Sequence, residues 1–277
     1  MVKKGDVVTI KSGYDDRVFY VIDVIKHDKK SPIAILKGIT IRIETSSYLE
    51  DLELVDAIQL DKILERFEEK INLRTNQIIE EYEGENVEES RTGKIDLGRG
   101  GKILHLDGDK QYANKASKVY SKLGLNAIVK NIKESRQPYE IKGLLNKYNP
   151  DILIVTGHDG MIKKGHDYNN MYNYRNSKYF VRAVTEARRW EQGMNKLAIF
   201  AGACQSYYEA IMEAGANFAS SPARILIDFM DPLIIAQKVA LTSEYQYITM
   251  KQIRENLRNG ERGISGIGAY GKLHALY

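Results

Sequence analysis

The chain of 277 residues has one cysteine, Cys204, one tryptophan and only 5 prolines. A single thiol permits no intramolecular disulfide, which excludes a disulfide-stapled secreted scaffold and points to a reducing compartment. Few prolines among 43% apolar and 28% charged residues exclude collagen-like and disordered chains. No apolar run approaches the roughly 18 residues of a membrane-spanning helix. Met1 to Gly5 hold two lysines but no apolar h-region, so export by a signal peptide is not expected. An excess of one charge is also missing: 41 basic against 37 acidic side chains give +4, too little to announce a nucleic-acid partner.

What is present divides into three sections. Residues 1–56 carry 9 basic and 10 acidic side chains, residues 57–92 carry 5 and 10, and residues 93–277 carry 27 and 17. In the first section, short β-branched runs (GDVVTIKS, RVFYVIDVIK, AILKGITIRIET, LELVD) alternate with turn residues. Four or five short strands of this kind predict a small barrel or curled sheet over residues 1–56, and its opening resembles SH3-like barrels, including the KOW type. From residue 57 to 83 the period changes: Leu60, Ile63, Leu64, Phe67, Ile71, Ile78 and Ile79 form one stripe of an amphipathic helix. Gly84 to Lys102, rich in glycine and charge, reads as a linker, so residues 57–101 form a helix and tether.

From residue 102 to 277 apolar runs alternate with helical patterns. Strands are expected at Ile103 to Leu106, Ala127 to Val129, Ile152 to Val155, Leu197 to Phe200 and Ala216 to Ala219. Helices are expected between them and over Pro232 to Leu241 and Thr249 to Arg258. Repeated βα units imply an α/β domain with a mostly parallel sheet covered on both faces.

In such sheets function collects where strands end. ILIVTGHDG runs a strand into His158, and LAIFAGACQS runs the next strand into Cys204, 46 residues later. If the two strands are neighbours, thiol and imidazole emerge side by side, the pairing that turns cysteine into a nucleophile. The helix expected from about Ser206 would point its amino end at the sulfur. Backbone amides of Cys204 and of the Asp159–Gly160 turn could form an oxyanion hole. A buried structural cysteine and a turn histidine are the plain alternative.

The pair of an apolar strand then Gly-His, and an apolar strand then Ala-Cys, resembles the caspase-like cysteine peptidases, the clan of clostripain, gingipains, legumain and separase. Across its full length the chain also resembles a family of sporulation-specific proteases of spore-forming bacteria. The resemblance implies a caspase-like three-layer domain and a Cys204–His158 dyad. It further implies a cysteine endopeptidase, cytoplasmic in the sporulating cell and associated with the forming spore coat, that trims spore coat and related proteins after arginine. The clan usually has glycine directly after the histidine, where this chain has Asp159.

An arginine pocket needs a carboxylate. Asp107 and Asp109 in the HLDGD turn, and Asp228 and Asp231 in LIDFMDP, are the candidates, though Asp109 and Asp231 are also suited to capping helices. Arg91 and Arg99 sit in the linker and are candidate self-cleavage sites. His166 lies in a Tyr- and Asn-rich loop. His27 and His105 share no metal-ligand spacing with Cys204, so neither metal nor cofactor is expected. The glycine-rich tail Gly260 to Lys272 lacks the strand-then-helix context of a phosphate loop. Two other readings stay open: a non-enzymatic adaptor for spore assembly, and a cysteine acyl-transfer enzyme of another type, such as a glutamine amidotransferase.

Overall fold

A computed structural model describes residues 2–11, 17–27, 30–85, 100–163, 165 and 167–274. Arg91, Arg99 and His166 lie outside the described residues. The first section forms five antiparallel strands, β1 (Val7–Ile10), β2 (Phe19–His27), β3 (Lys30–Gly38), β4 (Glu44–Tyr48) and β5 (Leu52–Leu54), in the order β4-β3-β2-β1-β5. Among the described residues the edge strands β4 and β5 do not pair, so the expected barrel is an open sheet. The physical reason lies in what covers its inner face. Val8, Phe19 and Leu36 share one apolar cluster with Ile71 of the following helix and Phe229 of the larger domain, so no closing strand is needed.

A second departure matters more. AILKGITIRIET reads as one strand, yet β3 ends at Gly38 and β4 begins at Glu44. The Gly38 amide donates to the Ile43 carbonyl at 2.9 Å and closes the intervening residues into a loop. A side chain at Gly38 would stand 2.2 Å from the Ile41 carbonyl oxygen, so the turn requires glycine.

Helix α1 (Ala57–Glu85) runs for 29 residues, roughly 44 Å at 1.5 Å per residue. Ile71, Thr75 and Ile78 are buried along it, whereas Leu60, Ile63 and Leu64 are half-buried. The helix meets the larger domain through charged and polar contacts: Glu68 pairs with Lys115, Lys122 Nζ donates to Asn72 Oδ1 at 2.6 Å, and Arg74 of the helix donates to the Asn256 carbonyl at 2.9 Å.

The larger section alternates strand and helix as expected: β6 (Ile103–Asp107), α2 (Lys110–Lys122), β7 (Ala127–Asn131), α3 (Gln137–Tyr148), β8 (Ile152–Thr156), α4 (Ser177–Trp190), β9 (Ala198–Ala201), α5 (Tyr208–Glu213), β10 (Phe218–Ser220) and α6 (Asp231–Leu241). Short elements follow, β11 (Tyr247–Ile248), α7 (Met250–Ile253), β12 (Ile264–Gly266) and β13 (Ala269–Tyr270). The six-stranded sheet has the order β12-β10-β9-β8-β6-β7, parallel except for β12. Alternate residues face opposite ways. Ile152, Ile154 and Phe200 pack with α2 and α6, while Leu153, Val155 and Ile199 pack with α3 and α4. The helix expected over Thr249 to Arg258 is shorter, ending at Ile253 and passing into a 3-10 turn at Arg254–Asn256. The glycine-rich tail supplies the antiparallel edge strand β12 and β13, which pairs antiparallel with β11 in a separate two-stranded sheet.

Candidate active site

Neighbouring strands β8 and β9 pair in register at Val155 and Ala201, and His158 and Cys204 stand just beyond their carboxyl ends. Two ties hold the loops together. Asp159 Oδ2 accepts from Ser206 Oγ at 2.9 Å, and Gln205 Oε1 accepts the Met161 amide at 3.2 Å. Asp159 is fully buried, and its Oδ1 takes the amides of Gly160 and Asn176, each at 2.8 Å. Burial, opposed by these hydrogen bonds, pushes its carboxyl up to about 6. The Asp159 side chain therefore braces the cysteine loop and does not orient the His158 ring.

The His158 ring is buried and set edge-on to Tyr112, with centroids 5.5 Å apart. Its Nε2 lies 2.8 Å from the Gly38 carbonyl, which can only accept, so Nε2 carries the hydrogen. Nδ1 is buried without a partner among the described residues. Burial, reinforced by Lys37, pulls the imidazole down to about 4, so it is neutral at pH 7. Its backbone amide donates to Glu134 Oε1 at 2.7 Å, an anchor that the sequence reading missed.

Cys204 is also fully buried, and its Sγ accepts the Ile227 amide at 3.4 Å. Burial, partly offset by that amide and by Arg42, pushes the thiol up to about 12. Helix α5 begins only at Tyr208, so the Ile227 amide, rather than a helix start at Ser206, is the donor at the sulfur.

What covers both groups is the loop between β3 and β4. Ile39, Ile41, Arg42 and Ile43 are all buried in the cleft, although connecting loops ordinarily run over the surface. The Arg42 carbonyl accepts two amides, from Cys204 at 3.3 Å and from Asp159 at 3.4 Å. Ile43 then forms a parallel bridge with Asp159, and the Glu44 amide donates to the Asp159 carbonyl at 2.8 Å. A Cβ at Gly160 would stand 2.1 Å from the Glu44 carbonyl oxygen, so glycine is what lets the segment lie so close. Beyond it, Glu44 faces Arg175 at 3.7 Å and Asn176 Nδ2 at 3.3 Å.

The Arg42 side chain enters a closed pocket. Its Nη1 donates to Asp107 Oδ2 at 2.5 Å, and the guanidinium lies 4.5 Å from the Tyr112 ring centroid and 5.4 Å from that of Phe229. Phe67 of α1 backs both rings edge-on at 6.3 Å. Asp107 also accepts from Thr156 Oγ1 at 3.0 Å and from the Asp109 amide at 2.8 Å. Against the pull of burial, Arg42 and His105 hold its carboxyl well below the usual carboxylate range.

Of the four candidate aspartates, only Asp107 meets an arginine guanidinium inside the cleft. Asp109 caps α2 through the amides of Gln111 and Tyr112 and pairs with Lys37 at 3.0 Å. Asp228 faces Arg258 at 3.4 Å and Lys70 at 3.8 Å. Asp231 starts α6 and takes the amides of Asp228 and Arg258 at 3.0 and 3.1 Å. Of the candidate oxyanion donors, Cys204 and Asp159 amides converge on one oxygen, whereas the Gly160 amide is committed to Asp159 Oδ1. His105 is buried between Tyr120 Oη at 3.0 Å and Thr156 Oγ1 at 2.8 Å. Among the described residues no group of three His, Cys, Asp or Glu side chains could hold a metal ion, and no helix is long and apolar enough to cross a membrane. Arg42, Tyr112 and Phe229 escaped the sequence reading; the signal was a lone basic residue between two isoleucines in GITIRIE.

Comparison with known proteins places these loops in context. The family model described as YabG peptidase U57 matches residues 3–277. The sporulation-specific protease YabG of Bacillus subtilis (strain 168) is 35% identical over 279 residues, covering 97% of this chain and 95% of that protein. No solved structure matches.

Proposed function

We propose, for a chain that belongs to the YabG peptidase U57 family and so to a family of sporulation-specific proteases, that it is a cysteine endopeptidase acting after arginine. Membership in a peptidase family decides against the adaptor reading. The observation that carries the mechanism is the convergence of the Cys204 and Asp159 amides on the carbonyl of an arginine whose side chain pairs with Asp107. Two backbone donors on one acyl oxygen are what a tetrahedral oxyanion requires. A carboxylate with the Tyr112 and Phe229 rings beside its partner suits guanidinium better than ammonium.

Each part of the dyad follows from its neighbours. Gly38 engages Nε2 of His158 and leaves Nδ1 to move the proton. Cys204 Sγ, deprotonated toward His158, adds to the acyl carbon. The resulting imidazolium protonates the leaving amine, so the C–N bond breaks and a thioester forms. His158 then takes a proton from water, the hydroxide attacks the thioester, and the thiol leaves with its proton restored. Histidine at the end of β8 and cysteine at the end of the adjacent β9 support the caspase-like arrangement, with residues 102–277 as the peptidase domain. Spore coat and related proteins are the substrates we assign, with the enzyme at the forming coat; the sporulation-specific name of the relative supports the setting.

The test is cleavage of a peptide library by purified protein. Hydrolysis after arginine by the wild type, lost in Cys204→Ala and His158→Ala proteins that keep their circular dichroism spectrum, is expected. Undiminished hydrolysis by purified Cys204→Ala protein would end the assignment.

A further inference from the structure

We infer that the Arg42–Ile43 peptide bond is a self-cleavage site and that the loop between β3 and β4 is the enzyme's first substrate, bound in cis. The inference rests on the proposed peptidase reading but concerns a different bond from those in the linker. Three independent features of the loop are those of a bound substrate. Its carbonyl at Arg42 occupies the two-amide hole, its side chain fills the Asp107 pocket, and Ile43 and Glu44 after it engage Asp159 of the His158 loop through a parallel bridge and a backbone hydrogen bond. Strand pairing along an enzyme edge, with one side chain in a specificity pocket, is the general mode of extended peptide recognition.

A purely structural arginine accounts for less of this. Buried guanidinium groups ordinarily satisfy their donors. Here Nε and Nη2 of Arg42 find no acceptor among the described residues. A structural ion pair also has no need of a carbonyl held by the amides of the proposed nucleophile and of the residue after the proposed base.

The chemistry balances without a further reagent except water. The Cys204 sulfur bonds to the Arg42 acyl carbon as the bond to the Ile43 nitrogen breaks, and the proton on His158 passes to that nitrogen. Water then releases Arg42 with a free carboxylate and restores the thiol. The products are residues 1–42 and 43–277. The cut frees the loop from its covalent tie to β4 while the two pieces stay paired, so the end carrying Arg42 can withdraw and admit arginine from another chain. Until then the loop blocks the cleft, and a thiol reagent should label the buried Cys204 slowly.

The experiment follows intact mass and amino-terminal sequence of purified wild-type, Cys204→Ala and Arg42→Gln proteins, each also given an arginine-containing reporter peptide. We expect a new terminus beginning Ile43-Glu44-Thr45 in the wild type, formed at a rate independent of protein concentration. Cys204→Ala stays intact, and Arg42→Gln, whose loop loses its ionic anchor in the Asp107 pocket and so no longer holds the cleft shut, stays uncut at this bond yet cleaves the reporter. Wild-type protein that cleaves the reporter while residues 42 and 43 remain joined overturns self-cleavage and leaves the peptidase reading standing. A wild type that is intact and inert beside an active Arg42→Gln variant makes the loop an inhibitor only, which also overturns it. Failure of both wild type and Arg42→Gln on every peptide removes the peptidase reading, and the inference with it.

Discussion

At the scale of single residues, the site depends on two buried charges that need each other. Asp107 is fully buried and faces Arg42 at 2.5 Å. Removing one member of such a pair strands the other and costs about 2–5 kcal/mol, or roughly 30- to 1,000-fold or more in a rate. Asp107→Asn should therefore lower kcat/KM for arginyl peptides by that order, with little change for a non-arginyl peptide, which steady-state kinetics on paired substrates will read. His158 predicts a pH effect. Burial holds its folded-state imidazole near 4, whereas the unfolded chain titrates at about 6.5. The unfolded state then binds more protons between these values, so this contribution to stability is complete above about pH 6.5 and is lost on acidification toward about 4, by roughly 3 kcal/mol. Urea denaturation of wild type and His158→Gln at about pH 7 and pH 4.5 should show a steeper loss in the wild type. Equal slopes would mean that the ring is not held neutral.

At the scale of elements, Gly160 and the loop from Gly38 to Ile43 set what can enter the cleft. Because a Cβ at Gly160 would meet the Glu44 carbonyl at 2.1 Å, Gly160→Ala should slow self-cleavage and peptide hydrolysis together, visible in the same mass and reporter assays, and should lower the thermal midpoint of the uncut protein because buried backbone must shift. The five-stranded sheet makes a second statement. β1, β2 and β3 lie between β4 and β5 in the order β4-β3-β2-β1-β5, so a cut after Arg42 leaves strands of the two pieces interleaved. The pieces should co-elute in size-exclusion chromatography and separate only in denaturant; separation in plain buffer would contradict this register. Strand and helix positions in the larger domain were legible because apolar runs and helical periods alternate cleanly from Ile103 to Leu241. The loop was not legible. Ile39, Ile41 and Ile43 continue the apolar alternation of β3, and only the contact of Gly38 with Ile41 shows that the chain must turn there. Edge strand β12 was hidden for the opposite reason, three residues in a glycine-rich tail with too little side chain to carry a period.

At the scale of the whole molecule, the small sheet, α1 and the α/β domain share one apolar cluster, so the sections distinguished by charge and pattern pack as neighbours around the cleft. That the strands leading into Gly157-His158 and Ala203-Cys204 are neighbours could be read from the alternation of strand and helix. Of the pocket only Asp107 was among the sequence candidates, because Tyr112 and Phe229, and the Arg42 that meets them, are far apart in sequence and only tertiary packing brings them together. Contacts such as Glu68 with Lys115 at the α1 surface are partly exposed, and pairs of this kind contribute about 0–1 kcal/mol, so salt should weaken the packing of α1 only slightly. The central claim is that one cleft combines the Cys204 nucleophile with an Asp107 arginine pocket. Its most direct test is covalent trapping of self-processed protein with a peptide electrophile that carries arginine before the reactive carbonyl, followed by peptide mapping. The account predicts a single adduct on Cys204, formed at least ~30-fold more slowly in Asp107→Asn. An adduct on another residue, or a rate indifferent to Asp107, would contradict it.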